Sequence, residues 1–188
     1  MSFLRNLLAL VGLLAVLAVA GVVFAFRGFD PQAPTVYWNI AKKLAATGDI
    51  AEATVWKRKV ADGLTYEEVD ESIKSVALTE NIRDVGNLPL GDQVGLMLGK
   101  DWRKLKIYLY CNPLTAAKMV EYSEAFSAYL PCRVTLAEDE NGDLWLYSLD
   151  MDLMIHGGRP LPPEVLEEAN HVRDVILKIL DDGSQGSF

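Results

Sequence analysis

The stretch YLYCNPLTAAKMVEYSEAFSAYLPCRVTL, residues 108–136, predicts a strand, a helix and a second strand in direct succession. The residues before Cys111 end an apolar and aromatic run that is typical of a strand. Asn112 followed by proline indicates a helix N-terminus, because asparagine caps free amides and proline fits the first helical position. The helix is predicted to continue to about Tyr129, since Pro131 ends it.

Downstream of this stretch the sequence predicts a β-hairpin. Residues 132–138 and 143–149 each alternate apolar and polar side chains, which is the period of a half-buried strand. Asn141 and Gly142 lie between them and favour a two-residue type I′ turn, because both residues tolerate positive φ. The two segments are therefore expected to pair as antiparallel neighbours.

Further elements on either side complete an α+β domain. A short strand is predicted over residues 54–60, and Thr65 with Glu68 forms a capping box that starts a helix. A final helix is predicted from Pro163 onward, whereas residues 82–104 are rich in glycine and predict no clear element. The expected fold is an antiparallel sheet with two or three helices packed on one face.

The succession of strand, Cys-Asn-Pro, helix, Leu-Pro, strand and acidic hairpin resembles the DUF302 family, small domains of unknown function. The resemblance is carried by the Asn-Pro and Leu-Pro pairs that bound the helix and by the hairpin that ends at Asp150. It covers about residues 104–155. It implies a TBP-like β-α-β(4)-α topology, frequent homodimers and no established catalytic residues. The topology by itself implies no DNA binding.

Ahead of this domain, an uncharged apolar run begins at Leu7 and ends at Phe26. About 20 apolar helical residues span the hydrocarbon core of a bilayer, so the run predicts a single transmembrane helix. A secretory signal peptide is the alternative, because Ala18-Val19-Ala20 resembles a cleavage site. The apolar run continues beyond that site, whereas signal cores usually stop after about 7–15 residues, so an uncleaved anchor is favoured.

This anchor sets the predicted organisation and location of the chain. Four parts are expected: an anchor over residues 1–27, a spacer with a short amphipathic helix over 28–52, the domain over 53–182 and a frayed tail over 183–188. The N-terminus is expected inside a bacterial inner membrane and the domain on its periplasmic side, in a single-pass arrangement. In the spacer, Tyr37 and Trp38 are expected either in the membrane interface or packed on the domain.

Charge and motif content exclude several classes of function. The chain carries 18 basic and 26 acidic side chains, and Arg5 is the one charge before residue 27, so the part outside the anchor is strongly acidic. An acidic surface repels nucleic acid, so no nucleic-acid partner is expected. The nucleotide-binding, hydrolase and metalloprotease motifs of common enzymes do not occur in the sequence. No catalytic residue and no cofactor is therefore predicted.

Cys111 and Cys132 are the two cysteines of the chain, and each lies at the end of a predicted strand. Antiparallel pairing of those strands would bring the two thiols close together, and a location outside the cytoplasm favours oxidation. An intrachain disulfide is therefore the favoured interpretation. Buried reduced thiols, a redox-active pair and a metal site are the alternatives.

A ligand pocket between the sheet and the helices is expected near five residues: Tyr110, Trp145, Met151, Met154 and His156. Methionine and histidine are ligands that copper accepts outside the cytoplasm, and the two methionines would share one face of a helix. No Cys-x-x-Cys-His sequence for covalent haem attachment occurs. The alternative is that these side chains fill the core.

The anchor and the missing catalytic motifs together favour a non-catalytic accessory or interaction subunit of a membrane protein assembly. Its partners are then other proteins of that assembly, or a second copy of the chain. The alternative is an extracytoplasmic module that binds a small molecule or a metal cofactor such as copper or haem.

Overall fold

A computed structural model describes residues 2–187, and its first element is the long helix α1 over Ser2–Ala25. The segment Phe3–Ala25 is long and apolar enough to cross a membrane, and it is not buried inside the protein. A signal sequence at an N-terminus has the same length and composition. This helix is therefore a candidate for either a membrane anchor or a signal sequence.

Two short helices connect α1 to the rest of the protein. The helix α2 covers Ala33–Thr47 and ends at Gly48, whose φ of 69° lets its amide reach the carbonyl of Leu44. Asp49 then caps the helix α3, Ile50–Ala53, by accepting a hydrogen bond from a first-turn amide at 2.8 Å. The spacer thus contains the helix that its sequence predicts.

The domain is built on one five-stranded antiparallel sheet. Its strands in chain order are β1 (Val55–Lys59), β2 (Arg83–Leu88), β3 (Leu105–Cys111), β4 (Cys132–Glu138) and β5 (Leu144–Leu149). Across the sheet the order is β1-β5-β4-β3-β2, and every pair of neighbours is antiparallel. The remaining helices are α4 (Tyr66–Thr79), α5 (Leu90–Leu98), α6 (Pro113–Tyr122), α7 (Met151–His156) and α8 (Pro163–Gly183). The α+β fold class is confirmed.

The helices α4, α6 and α8 cover one face of the sheet and form the core with it. Successive strand residues point to opposite faces, so alternate residues of the central strands are buried under these helices. The buried apolar and aromatic strand side chains are Tyr108, Tyr110, Val134, Leu136 and Leu146. The helix α8 adds a stripe at helical spacing: Val165, Ala169, Val172, Ile176 and Ile179. Full burial of each large apolar side chain stabilises the fold by about 1.5–3 kcal/mol.

The helix predicted between the two cysteines is interrupted. It begins at the predicted cap, where the Asn112 side chain accepts hydrogen bonds from two first-turn amides, but α6 ends at Tyr122. Ser123 is extended, with φ −159° and ψ 122°, and a 3₁₀ helix then covers Glu124–Tyr129. The prediction of one continuous helix is therefore wrong, because the proline signals mark only the two ends of the segment.

The hairpin between β4 and β5 forms as predicted, but its turn is different. Of the Asn141-Gly142 pair, only Gly142 takes positive φ, at 85°. The Asp139 carbonyl accepts a hydrogen bond from the Gly142 amide at 3.2 Å. The Asp139 carboxylate accepts from the amides of Asn141 and Asp143 at 2.8 and 3.0 Å. A longer loop closed by a left-handed glycine therefore replaces the predicted two-residue turn, because Asp139 satisfies the loop amides.

The glycine-rich stretch 82–104 contains β2 and α5, neither of which its sequence predicts. A Cβ atom at Gly91 would lie 2.5 Å from the Arg103 carbonyl oxygen and 2.7 Å from the Leu105 amide nitrogen. Such a close approach of two backbones requires glycine, so Gly91 allows α5 to pack on the start of β3.

The C-terminal segment is packed against the domain over residues 184–187. Ser184 is buried, and its carbonyl accepts a hydrogen bond from the Ala61 amide at 2.8 Å. The Ser187 carbonyl accepts another from the Ser72 hydroxyl at 2.5 Å. These residues are therefore hydrogen-bonded to the domain, whereas the sequence predicts a frayed tail over residues 183–188. Residue 188 lies outside the described residues.

Asp70 of α4 is the centre of a polar cluster at the edge of the core. Its carboxylate accepts hydrogen bonds from the Lys106 and Lys74 ammonium groups at 2.6 and 2.5 Å and from the buried Tyr108 hydroxyl. Burial opposes the ionised form, but these hydrogen bonds outweigh it and lower the pKa of Asp70. Burial, together with the Asp70 contact, raises the pKa of Tyr108, so its hydroxyl remains a donor.

Replacing Asp70 with asparagine is expected to lower the free energy of unfolding by about 1–3 kcal/mol at neutral pH, because charge-assisted hydrogen bonds are lost. A carboxyl group whose pKa is lower in the folded state stabilises the fold at pH values above its unfolded-state pKa. This stabilisation is lost as the pH falls through the folded-state pKa. The difference between parent and variant should therefore shrink below about pH 4 in urea unfolding curves. The control is Glu71→Gln at the exposed neighbour. Equal pH dependence of the two variants would contradict this assignment.

Candidate functional site

A cavity of about 240 Å³ lies at the end of the sheet where β4 begins and β5 ends. Residues of α7 and of the 3₁₀ helix complete its wall. Three of the predicted site residues, Cys132, Met151 and Met154, line this cavity. Its charged wall residues are Arg133 and Asp150, and the rest of the wall is mainly apolar. The structure therefore offers a site that suits an apolar molecule.

Asp150 positions α7 along this cavity. Its amide donates to the Thr54 carbonyl at 2.9 Å, and its carboxylate caps the helix by accepting from the Asp152 amide at 3.1 Å. Met151 and Met154 then lie on one side, because residues three apart share a helix face. Burial, followed by the nearby charge of Asp152, raises the pKa of Asp150.

Tyr110 and Trp145 are predicted at one pocket but lie on opposite faces of the sheet. Tyr110 is fully buried under the helices, and its hydroxyl has no hydrogen-bond partner among the described residues. Trp145 is half-buried on the other face, where its indole nitrogen donates to the Asp139 carboxylate at 3.1 Å. Because Leu146 points into the core, its neighbour Trp145 has to point away. The prediction of a single pocket around both aromatic residues is therefore wrong.

His156 ends α7 but does not line the cavity. Its Nδ1 atom lies 3.2 Å from the Asp30 carboxylate, and the two side chains are only 2% and 6% exposed. Its Nε2 atom is buried without a partner in the described part of the chain. The Asp30 amide donates to the Gly158 carbonyl and the Tyr37 hydroxyl to the Gly157 carbonyl, both at 2.7 Å. These contacts hold the spacer on the domain, and they keep the His156 imidazole away from the cavity.

Cys111 and Cys132 are both free thiols, so the predicted disulfide is not formed. The strands β3 and β4 do pair, but their register sets Cys132 opposite Tyr110, while Cys111 pairs with Arg83 of β2. Cys111 lies one residue beyond the strand partner of Cys132. Because neighbouring strand residues point to opposite faces of a sheet, the two thiols do not face each other. Burial raises the pKa of Cys111, and burial together with the nearby Cys111 raises the pKa of Cys132 to about 11. Both thiols are protonated at neutral pH, which argues against a nucleophilic or redox-active pair.

No group of three or more histidine, cysteine, aspartate or glutamate side chains is placed to hold a metal ion among residues 2–187. Several residues that the sequence did not predict have a part here: Arg133, Ser148 and Asp150 line the cavity, and Asp30 contacts His156. Arg133 follows Cys132 directly, but no local pattern shows that it reaches a cavity. Asp30 meets a histidine 126 positions away, so no spacing rule could have paired them.

Comparison with known proteins gives the family of the chain. A model for a domain of unknown function, DUF302, matches residues 56–183. The fold is similar to that of an uncharacterized conserved DUF302 protein from Bacillus stearothermophilus, whose crystal structure matches with a TM-score of 0.55 and 17% identity. That match covers 69% of this chain and 97% of the other. The comparison with curated proteins finds no match. Because the family model covers more than half of its residues, the chain belongs to the DUF302 family.

Proposed function

We propose that this chain is a membrane-anchored DUF302 domain that acts as a non-catalytic interaction subunit of a membrane protein assembly. The observation that carries the proposal is the open face of the sheet, which we define as the strand side chains pointing away from α4, α6 and α8. By the strand registers these are Val55, Lys57, Lys59, Leu105, Ile107, Leu109, Arg133, Thr135, Ala137, Trp145, Tyr147 and Leu149.

The composition of the open face points to a protein partner. Most of its side chains are apolar or aromatic and remain partly exposed, and Leu149 is 41% exposed. A contiguous exposed apolar patch on a soluble domain marks an interaction surface. Its charged members are all basic, although the chain as a whole carries a net charge of −8.

These charges favour a different protein over a second copy as the partner. In a symmetric dimer the same face would meet itself, and its basic side chains would lie among like charges with no carboxylate on the face to pair them. Arg133 has no carboxylate within ion-pair distance in the described part of the chain, whereas Lys57 and Lys59 pair with Glu52 and Asp143. The expected partner therefore presents an apolar surface that carries acidic groups.

Retention of α1 as an anchor is supported by the residues that follow the possible cleavage site. Cleavage before Gly21 would leave an apolar stub on the domain, including Val22, Val23 and Phe24, which are 59%, 67% and 73% exposed. The chain after this stub is fixed to the domain through Asp30, so the stub could not be buried elsewhere without breaking that contact. An uncleaved helix in a bilayer removes this exposed apolar surface from water.

The two aromatic residues of the spacer support the same arrangement. Tyr37 is bonded to the domain, and its ring lies edge-on to Phe26 at 5.7 Å between ring centres. Trp38 is 64% exposed beside the end of α1. Trp and Tyr rings favour the interface between membrane and water, so this end of the domain is proposed to rest at the bilayer surface. We place the N-terminus on the inner side of the membrane and the domain in the periplasm.

Photo-crosslinking tests the interaction surface. A photoreactive residue at Ile107, on the open face, is expected to give one adduct with a membrane protein that also co-purifies stoichiometrically in mild detergent. The same residue at exposed Glu71, on the helical side, is the matched control and should give none. Arg133→Glu should weaken the Ile107 adduct, since it reverses a charge without breaking an ion pair. The absence of an adduct, or one at twice the mass of the chain, would contradict this choice of partner.

A second candidate function, binding of a small apolar molecule, is favoured by the 240 Å³ cavity. Pockets of this kind are mostly apolar with a few polar groups that fix orientation, and Arg133 with Ser148 would fill that role. Native mass spectrometry of the whole chain released from detergent tests it. A retained ligand that Met154→Trp displaces would support binding, whereas unliganded protein in every preparation would count against it.

A further inference from the structure

We propose that the chain binds one monovalent copper ion in a sulfur-lined site formed by Cys132, Met119, Met151 and Met154. This proposal goes beyond the interaction function and does not depend on it. It rests on a second, smaller cavity of about 20 Å³ that lies beside the cavity described above and shares Cys132, Met151 and Met154 with it. A void of this size has room for a single ion or water molecule.

The fold concentrates sulfur at this one point. The chain contains two cysteines and five methionines, and five of these seven residues line the small cavity. Cys111 lines it from β3, but its side chain is expected to point to the other face of the sheet from Tyr110. The four sulfur ligands come from three separate elements, because β4 supplies Cys132, α6 supplies Met119 and α7 supplies the other two. Met97 is different, since it lies 89% exposed on α5.

The chemistry of this cluster fits monovalent copper better than other common metals. Thiolate and thioether groups are soft ligands that select Cu(I), whereas Mg²⁺ and Ca²⁺ require oxygen ligands. Structural Zn²⁺ sites use four cysteine or histidine ligands, and only two cysteines are present here. His156, the histidine nearest in sequence to these methionines, is bonded to Asp30 on the other side of α7.

The surroundings of the site favour an ion of single charge. The cavity is also lined by apolar side chains, which include Leu130, Ala169 and Val172. An uncompensated charge in such surroundings is costly. When Cu(I) binds a cysteine sulfur, the thiol proton leaves to solvent and the thiolate neutralises the single charge of the metal. The thioethers can complete the coordination without adding charge.

Competition titration tests the site. The whole chain in detergent, kept anaerobic, is titrated with Cu(I) in the presence of bicinchoninate. The Cu(I) complex of bicinchoninate is coloured, so a loss of colour measures the Cu(I) that the protein takes. The parent is expected to take one Cu(I) per chain. The variant Cys132→Ala should lose roughly 100-fold or more in affinity. A parent that takes no Cu(I) from the competitor, or a Cys132→Ala variant that binds as tightly as the parent, would overturn the proposal.

Methionine variants separate metal binding from packing. Met119→Leu and Met154→Leu nearly conserve volume, so they should leave the melting temperature of the metal-free protein almost unchanged while weakening Cu(I) binding about tenfold. Met97→Leu is the matched control on the exposed methionine and should bind like the parent. If all three methionine variants bind Cu(I) as tightly as the parent, the thioethers only pack in the core and the proposed ligand set is wrong.

Discussion

Replacing His156 with alanine is expected to lower the free energy of unfolding by about 3 kcal/mol, because it leaves a buried carboxylate without its side-chain hydrogen-bond partner. The imidazole lies 3.2 Å from the Asp30 carboxylate, and the two side chains are 2% and 6% exposed. Removing the ring leaves the carboxylate buried without its side-chain partner. Domains of this size are stable by only about 5–15 kcal/mol, so the loss is a large fraction of the total.

The chain provides a matched control for this change. His171 is exposed on α8, so His171→Ala should leave urea unfolding curves unchanged within about 0.5 kcal/mol. Faster hydrogen exchange of the α2 amides is expected in the His156 variant, because the spacer loses its contact with the domain. A double change of Asp30 and His156 to leucine should recover part of the stability, since replacing both hydrogen-bond partners by apolar groups can be nearly neutral. Equal stability of the two single histidine variants would show that the Asp30 contact contributes nothing.

Gly91→Ala is expected to destabilise the protein by about 3 kcal/mol, at the upper end of the range for overpacking. The new Cβ would lie 2.5 Å from the Arg103 carbonyl oxygen and 2.7 Å from the Leu105 amide nitrogen. Both contacts are to backbone atoms, which cannot rotate away as a side chain can. Alanine favours a helix over glycine by about 1 kcal/mol, and the clash outweighs this gain.

The effect of the Gly91 variant should be local before it is global. Detachment of α5 from β3 is expected to expose the connecting residues 99–104, which limited proteolysis would detect as a new cleavage site. Gly158→Ala is the control, because a Cβ at Gly158 meets no atom within 4 Å and its φ is not positive. Unaltered protease resistance of Gly91→Ala would show that α5 and β3 are further apart than the structure places them.

The parts of the fold that the sequence predicted correctly depend on interactions within a few residues. Thr65 and Glu68 form the predicted capping box, with the Glu68 carboxylate accepting from the Thr65 amide at 2.7 Å. Asn112 caps α6 in the same local way. Alternating strands and a proline-bounded final helix likewise need no knowledge of distant residues. These signals were sufficient for the α+β class and for the sheet with helices on one face.

The parts that were missed depend on contacts between distant residues. Residue 91 has to be glycine because the backbone at the start of β3, near Leu105, lies against it. A contact of this kind between separate elements produces no periodic pattern in the sequence. The pairing of Asp30 with His156 joins residues 126 positions apart. The cysteines form no disulfide because of the register between β3 and β4. The sequence alone does not reveal a register difference of one residue. The cluster of sulfur ligands likewise cannot be found from the sequence, because it forms only when β4, α6 and α7 are assembled.

A retained membrane anchor is the central claim of the proposed function, and the intact mass of the chain in carbonate-washed membranes tests it most directly. Alkaline carbonate removes peripheral proteins, so an integral helix keeps its chain in the pellet. If α1 is a retained anchor, we expect the chain to sediment with the membranes and its mass to include α1, residues Ser2–Ala25. A chain found in the soluble fraction, with a mass that begins at Gly21, would show that α1 is a signal sequence and would contradict the claim.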